Sequence, residues 1–229
     1  MIKKKTLLTK LLSFFIPITI FKQNSSVSNS IEITWSNGQL VLDSKNTNYS
    51  YGSLQRILRK GLQSIGFENI KTLDSILVLG VAGGSVIKTL VNEVGFKGEI
   101  IGVEIDADII SLANKYFKLD EIPNLTILIE DANKFVQKSN KTFDLIIIDI
   151  FQDNCMPSFL FEIAFIENTI SHLNPCGYLL FNTMINSKID MERNKHYLSY
   201  FNPEEFTTYS LPKVEVYNEL IVVKKTKSK

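Results

Sequence analysis

Two hydrophobic periods alternate along most of this chain. From Ile76 onward, continuous apolar runs such as Ile76-Leu77-Val78-Leu79 and Leu145-Ile146-Ile147-Ile148 give way to stretches with apolar residues at helical spacing. The first pattern predicts strands covered on both faces, and the second predicts amphipathic helices. Strands are expected at 76–79, 99–104, 125–129, 143–149 and 178–182, and helices at 85–94, 107–116, 132–137, 159–172 and roughly 188–199. The segments 206–211 and 220–225 read as two strands with a short connection, hence antiparallel. The expected fold class is α/β: a Rossmann-like, doubly wound, mostly parallel sheet with a C-terminal antiparallel hairpin.

Ahead of residue 76 the pattern changes. Residues 31–35 and 39–42 flank Ser36-Asn37-Gly38, an Asn-Gly hairpin signal, so a small N-terminal β element is expected. Leu54, Ile57, Leu58, Leu62 and Ile65 follow at helical spacing, with Ser53 as the N-cap. The expected division is an N-terminal segment over 1–52 and a ligand-binding domain over 53–229. Lys3-Lys4-Lys5 before an apolar run from Leu11 to Phe21 has the layout of a signal peptide. Lys10 and Pro17 interrupt the apolar stretch, which is too short to span a bilayer, and no clear small-x-small cleavage site follows. A short amphipathic helix and a strand at 18–21, packed on the domain, is the simpler reading.

Composition narrows the class. The 229 residues accommodate one full α/β domain, and 45% hydrophobic with 21% charged residues are globular values. A formal net charge of +1 gives no reason to expect nucleic acid as a partner. Cys155 and Cys176 are too few for a disulfide framework and have no metal-ligand spacing, so a reduced, cytoplasmic setting and no metal are expected.

The candidate chemistry lies where the strands end. The run 76–79 opens into Gly80-Val81-Ala82-Gly83-Gly84-Ser85, and Val103-Glu104-Ile105-Asp106 follows, with Glu104 twenty positions after Gly84. Glycines at such a turn admit a ligand close to the backbone, and an acid at the next strand end is placed to accept from a ribose diol. A dinucleotide fingerprint needs glycines at the first, third and sixth loop positions, and Gly80, Ala82 and Ser85 meet one of three. Small residues at the first, third and fifth positions (Gly80, Ala82, Gly84) fit instead the spacing of S-adenosylmethionine-dependent enzymes. Glu130-Asp131-Ala132 follows the third strand, where an acid can accept from an adenine amino group, and Asp149 ends the fourth. The expected cofactor contacts are Gly80, Ala82, Gly83, Gly84, Glu104, Ile105, Asp131, Ala132 and Asp149, all at one rim of the predicted sheet. Each acid also has a plain structural use, as helix cap or amide acceptor.

These motifs resemble the spermidine synthase-like proteins, the aminopropyltransferase branch of the class I S-adenosylmethionine-dependent methyltransferase fold superfamily. The resemblance runs from about Leu40 onward, through Leu40-Val41-Leu42-Asp43, the Gly80 loop, the segments ending in Asp106, Ala132 and Asp149, and Asn174-Pro175-Cys176-Gly177-Tyr178-Leu179. It implies a transferase of polyamine biosynthesis, with S-adenosylmethionine or its decarboxylated form as cofactor and a small amine as acceptor; homodimerisation stays open. Three departures stand out. The family loop usually reads Gly-Gly-Gly-Asp-Gly-Gly, and Gly83 stands at its Asp. The usual Asp-Ser-x-Asp-Pro becomes Asp149-Ile150-Phe151-Gln152-Asp153, and the usual Tyr-His-Glu becomes Tyr51-Gly52-Ser53. A dicationic acceptor calls for carboxylates and aromatic faces, and fewer acids are retained than that task uses.

In such a transfer the acceptor amine must lose a proton to become a nucleophile. Asp149 is the candidate base, with Tyr49, Tyr51 and Asp153 on the acceptor side; alternatively, Asp149 positions the sulfonium side chain and Asp153 is the base. A methyltransferase acting on an unknown acceptor is the alternative, and a non-catalytic nucleoside-binding protein the second. His172 at a predicted helix end suggests a dipole role, Trp35 packing, Cys155 a loop over the site, and the tail from Lys224 a frayed end.

Overall fold

The computed structural model describes residues 2–25, 27, 30–43, 48–152 and 155–226. Helix α1 (Ile2–Leu12) leads into β1 (Ile18–Gln23), β2 (Ile31–Ser36), β3 (Gln39–Asp43) and β4 (Asn48–Ser50). These strands form one antiparallel sheet in sequence order. Asn37 and Gly38, both at positive φ, make the tight turn between β2 and β3. The phenyl ring of Phe14 fills the space a side chain at Gly38 would need. Ser13 clamps the turn, accepting from Gly38 N at 3.0 Å through its hydroxyl and from Asn37 N at 2.9 Å through its carbonyl.

Next come α2 (Gly52–Ile65), α3 (Phe67–Lys71), β5 (Ser75–Leu79), α4 (Ser85–Thr89), β6 (Glu99–Glu104), α5 (Ala107–Phe117), β7 (Leu125–Ile129), α6 (Ala132–Lys138), β8 (Phe143–Ile148), α7 (Ile163–Ser171), β9 (Leu173–Met184), α8 (Lys188–Ser199), β10 (Phe206–Leu211) and β11 (Asn218–Lys225). The second sheet has the order β10-β11-β9-β8-β5-β6-β7. Its five strands from β7 to β9 are parallel, and β11 and β10 are added antiparallel. The strand order reverses between β5 and β8, and ligands of open α/β sheets bind at that point, outside the carboxyl ends.

Alternation explains why the strands are apolar throughout. Ile76, Val78, Leu145, Ile147, Leu180 and Val222 point to one face, against α2 and the helix after β5. Leu77, Leu79, Ile146, Ile148, Phe181 and Val223 point to the other, against α6, α7 and α8. Successive residues therefore enter different cores, which keeps Ile76–Leu79 of β5 and Leu145–Ile148 of β8 apolar without interruption. The N-terminal sheet makes a third core, in which Ile31, Ile33 and Leu42 meet Ile109, Leu112 and Phe117 of α5.

The elements depart from the sequence pattern where packing or turns override period. Helix α2 starts at Gly52, so Tyr51, not Ser53, occupies the N-cap position and gives no side-chain cap. The helix expected over 85–94 changes at Leu90–Val94 into a π turn that closes on Gly95 at positive φ. The helix expected over 159–172 splits into a 3-10 turn (Ser158–Phe161), an extended Glu162 and α7. There Phe161 packs on Phe181 and Tyr197, and that aromatic contact displaces the helical continuation. Strand β9 starts at Leu173, with its register shifted opposite Phe143–Leu145. The tail expected to fray from Lys224 instead stays in the sheet to Lys225, whose ammonium donates to Leu173 O at 2.8 Å.

Ile147, fully buried in the central strand, reports on this core. Ile147→Ala is expected to cost about 2–5 kcal/mol, read as a lower urea midpoint at constant slope; an unchanged midpoint would mean the core collapses around the missing atoms.

Candidate active site

The rim of the site is formed by the carboxyl ends of β5, β6, β7 and β8. Gly80 leaves β5 at φ +89, and a side chain there would run into the Asp149 carbonyl at the end of β8. A backbone hydrogen bond from Asp149 N to Leu79 O (2.8 Å) also ties these two strand ends, and Gly80 N donates to Val103 O of β6 at 2.9 Å. Glycine is needed at this position because backbone meets backbone without intervening side chain.

Glu104 ends β6 and turns its carboxylate back into the protein. Oε2 accepts from Val81 N at 3.1 Å and Ala82 N at 3.0 Å. Oε1 accepts from Ile105 N at 2.9 Å and Asp106 N at 3.1 Å. A carboxylate offers about four lone-pair directions, so the amides of two loops occupy it fully. Burial raises its pKa, and the four amides act in the opposite sense. The side chain expected to meet a ribose diol thus organises the loop in this state, with Ala82 held at φ +46.

The neighbouring acids have the plain uses noted from sequence. Asp106 Oδ1 caps α5 by accepting from Asp108 N and Ile109 N at 3.0 and 3.3 Å, while Oδ2 accepts from Ser25 Oγ at 2.6 Å. Asp131 caps α6 by accepting from Lys134 N at 2.9 Å. Ala132 is buried beneath it, and Ile105 is 45% exposed at the rim.

Asp149 is the exception. Among the described residues one hydrogen bond, from Asn182 Nδ2 at 2.9 Å, reaches its carboxylate. Burial, which the Asn182 bond opposes and the Glu104 charge reinforces, pushes its pKa up to about 7. Asn182 is fully buried, and its Oδ1 accepts from Asn218 Nδ2 at 3.0 Å. Asn218 therefore fixes which end of the Asn182 amide faces Asp149. Sequence reasoning missed both asparagines. Asn182 carried one signal, a polar residue closing an apolar strand; Asn218 carried none.

Gly83 is shaped by residues outside the loop. A Cβ there would lie 2.8 Å from Ser50 Cβ and 3.2 Å from a ring carbon of Tyr51. Ser50 Oγ also accepts from Ser85 N at 3.2 Å. Tyr51, at φ +71, stacks on Phe117 with ring centroids 4.4 Å apart. Its ring belongs to the core beneath the N-terminal sheet, and burial raises its hydroxyl pKa. Tyr51 is thus beside the loop as expected, but as packing. Asp153 lies outside the described residues, as does the side chain of Tyr49. Gly84, at φ +77, starts α4 over Leu119. Among the described residues no group of three or more His, Cys, Asp or Glu side chains is placed to hold a metal ion.

A parallel sheet reversing between β5 and β8, an antiparallel terminal pair, and acids at successive strand ends define the methyltransferase-like class of Rossmann folds. Human methyltransferase-like protein 13, solved in complex with SAH, shares the fold at TM-score 0.57 and 20% identity, over 77% of this chain and 79% of that one. A spermidine synthase in complex with the transition state analogue AdoDATO matches at TM-score 0.71 and 18% identity, over 92% of this chain and 75% of that one. The sequence profile of the spermine/spermidine synthase domain matches residues 56–225, and the chain belongs to this family. The polyamine aminopropyltransferase of Vibrio vulnificus (strain CMCP6) is 28% identical over 142 residues, 61% of this chain and 46% of that protein. The chain spans less than half the length of this curated relative.

Two outcomes test the site. Gly83→Asp should lower stability by about 1–3 kcal/mol, because Ser50 and Tyr51 must move; an unchanged denaturation midpoint would show that they yield freely. An acid titrating near 7 in the folded protein and near 3.8 ordinarily holds its proton longer when folded, so it lowers stability as pH rises across that window. Relative to the wild type, Asp149→Asn should therefore gain stability between pH about 4 and about 7 and level off above; a flat difference would contradict the raised pKa.

Proposed function

We propose that this chain is a transferase that moves an aminopropyl group from decarboxylated S-adenosylmethionine to a small amine, in a cytoplasmic setting. The observation that carries this reading is Asp149: a part-buried carboxyl titrating near 7 at the switch point of the sheet, against the Gly80 backbone. The likeness to a spermidine synthase in complex with the transition state analogue AdoDATO and to the polyamine aminopropyltransferase of Vibrio vulnificus supports it.

In the proposed reaction the acceptor nitrogen attacks the carbon beside the sulfonium. The new C–N bond forms as the C–S bond breaks, its electron pair passes to sulfur, and the displaced product is methylthioadenosine. Asp149 takes the proton that the nitrogen sheds. A base with a pKa near the working pH combines a useful ionised fraction with real basicity. Asn182, held by Asn218, keeps one carboxylate oxygen fixed by donating to it, and leaves the other to meet the substrate. Gly80, Ala82, Gly83 and Gly84 would receive the nucleoside with Ile105, Asp131 and Ala132 at the adenine end. Glu104 would meet the ribose by exchanging loop amides for hydroxyls. Tyr49 and Asp153 remain our proposals for the acceptor side.

One observation favours a second reading, methyl transfer from S-adenosylmethionine itself. Where the family usually has a loop carboxylate, Gly83 is closed off by Ser50 and Tyr51, so no acid stands there to hold a primary ammonium. The carboxylate of intact S-adenosylmethionine would meet less repulsion at such a loop.

Calorimetric titration separates the readings. Decarboxylated S-adenosylmethionine is expected to bind more tightly than S-adenosylmethionine, with methylthioadenosine as product ligand. The reverse order would favour methyl transfer, and no binding of any of the three at millimolar concentration would reject both. With the decarboxylated donor and a diamine, kcat/KM should rise with pH through about 7, the titration of Asp149. Asp149→Asn should lower it by roughly 10²–10⁴-fold; turnover close to wild type removes Asp149 from the mechanism.

A further inference from the structure

The N-terminal helix carries an apolar stripe that the fold does not cover. On α1, Leu7 and Leu11 lie one turn apart, as do Leu8 and Leu12, and Phe15 and Ile16 follow in the turn just past the helix end. These six side chains are between 49% and 85% exposed. Helical hydrogen bonding runs on past Leu12, with Ser13 N donating to Thr9 O and Ile16 N to Leu12 O. The helix is nonetheless firmly seated. Ser13 grips the Asn37-Gly38 turn, Phe14 covers Gly38, and the Lys10 ammonium lies 5.9 Å from the centre of the Trp35 ring. The stripe is thus held outward by the contacts on the other side of the helix, and it is not a loose end.

Charge indicates what would cover it. Helix α1 carries Lys3, Lys4, Lys5 and Lys10 and no acid, whereas Lys22 of β1 is paired with Glu32 at 2.6 Å. The whole chain has 25 basic and 24 acidic residues, so the segment is strongly basic within a nearly neutral protein. A basic helix with leucine and phenylalanine on its free face fits the boundary between anionic headgroups and acyl chains. Eleven residues of α1 span about 16 Å, too short to cross the hydrocarbon core of about 30 Å, so the helix would lie in the plane of the surface.

We propose that residues 2–16 form an interfacial anchor that docks this protein on an anionic membrane surface, with the sheet domain in the water above. This proposal stands independently of the reaction the site performs.

Sedimentation of the full-length chain with phospholipid vesicles tests it. Association is expected with phosphatidylcholine vesicles containing about one third phosphatidylglycerol. It should weaken with phosphatidylcholine alone and at about 0.5 M salt. The variant L8E/L11E/F15E alters exposed positions only. It should lose at least about tenfold in vesicle affinity while keeping the wild-type thermal melt and the wild-type nucleoside affinity. A wild-type chain that stays in the supernatant, or a variant that binds vesicles equally well, overturns the proposal. Light scattering that shows a dimer, absent in the variant, together with no vesicle binding, would assign the stripe to a subunit contact instead.

Discussion

The rim of this site depends on one carboxylate that faces inward. Glu104 accepts four backbone amides from the turns after β5 and β6. Hydrogen bonds to a charged group contribute about 1.5–3 kcal/mol each, enough together to hold Ala82 in the left-handed region, which costs about 1–2 kcal/mol for a residue with a Cβ. Without that acceptor Val81 and Ala82 lose the bonds that fix the turn, while the close passage of Gly80 against Asp149 is kept by the ladder bond from Asp149 N to Leu79 O. The same charge acts on its neighbour. A second carboxyl, placed in the same part-buried rim, becomes harder to ionise, which is part of why Asp149 titrates near 7. Loop geometry and the proton affinity of the candidate base therefore share one cause.

The sheet was legible because its signal is redundant. Each parallel strand is buried on both faces, so an uninterrupted apolar run identifies it without knowledge of its neighbours, and the rim follows once the strand ends are known. Side-chain direction is not redundant in this way. Nothing at position 104 in the sequence says whether the carboxylate points to solvent or to amides two dozen residues earlier, because the answer depends on the path of the Gly80 loop. The asparagine pair was hidden for a related reason. Asn182 and Asn218 meet only because β11 returns antiparallel beside β9, with Asn182 opposite Leu220, and hydrophobic period does not specify that register. The break before α7 and the π turn after α4 are local losses of helical period to aromatic packing and turn closure, which single-sequence periodicity does not weigh.

Gly83 shows how a departure from a family pattern gains meaning from structure. As a letter in a loop it is a missing acid. In the fold it is one member of a group: Ser50 fills the space, its hydroxyl serves Ser85 N, and Tyr51 is locked behind it by Phe117. An acid at that one position would force Ser50 and Tyr51 to shift, because the end of β4 and the turn into α2 occupy the space beside it.

On the proposed reading, Asp149 then carries much of the electrostatic work. A sulfonium or ammonium beside it favours its ionised form, and by linkage the ionised form favours the cation. Binding of a cationic substrate and generation of a competent base become the same titration, near pH 7 before the substrate arrives and lower once it is bound. A part-buried acid whose one donor among the described residues is the neutral Asn182 suits that role better than one held by an arginine would. A permanent cation would ionise the carboxyl at every working pH, make it a weak base and compete with the substrate for its charge.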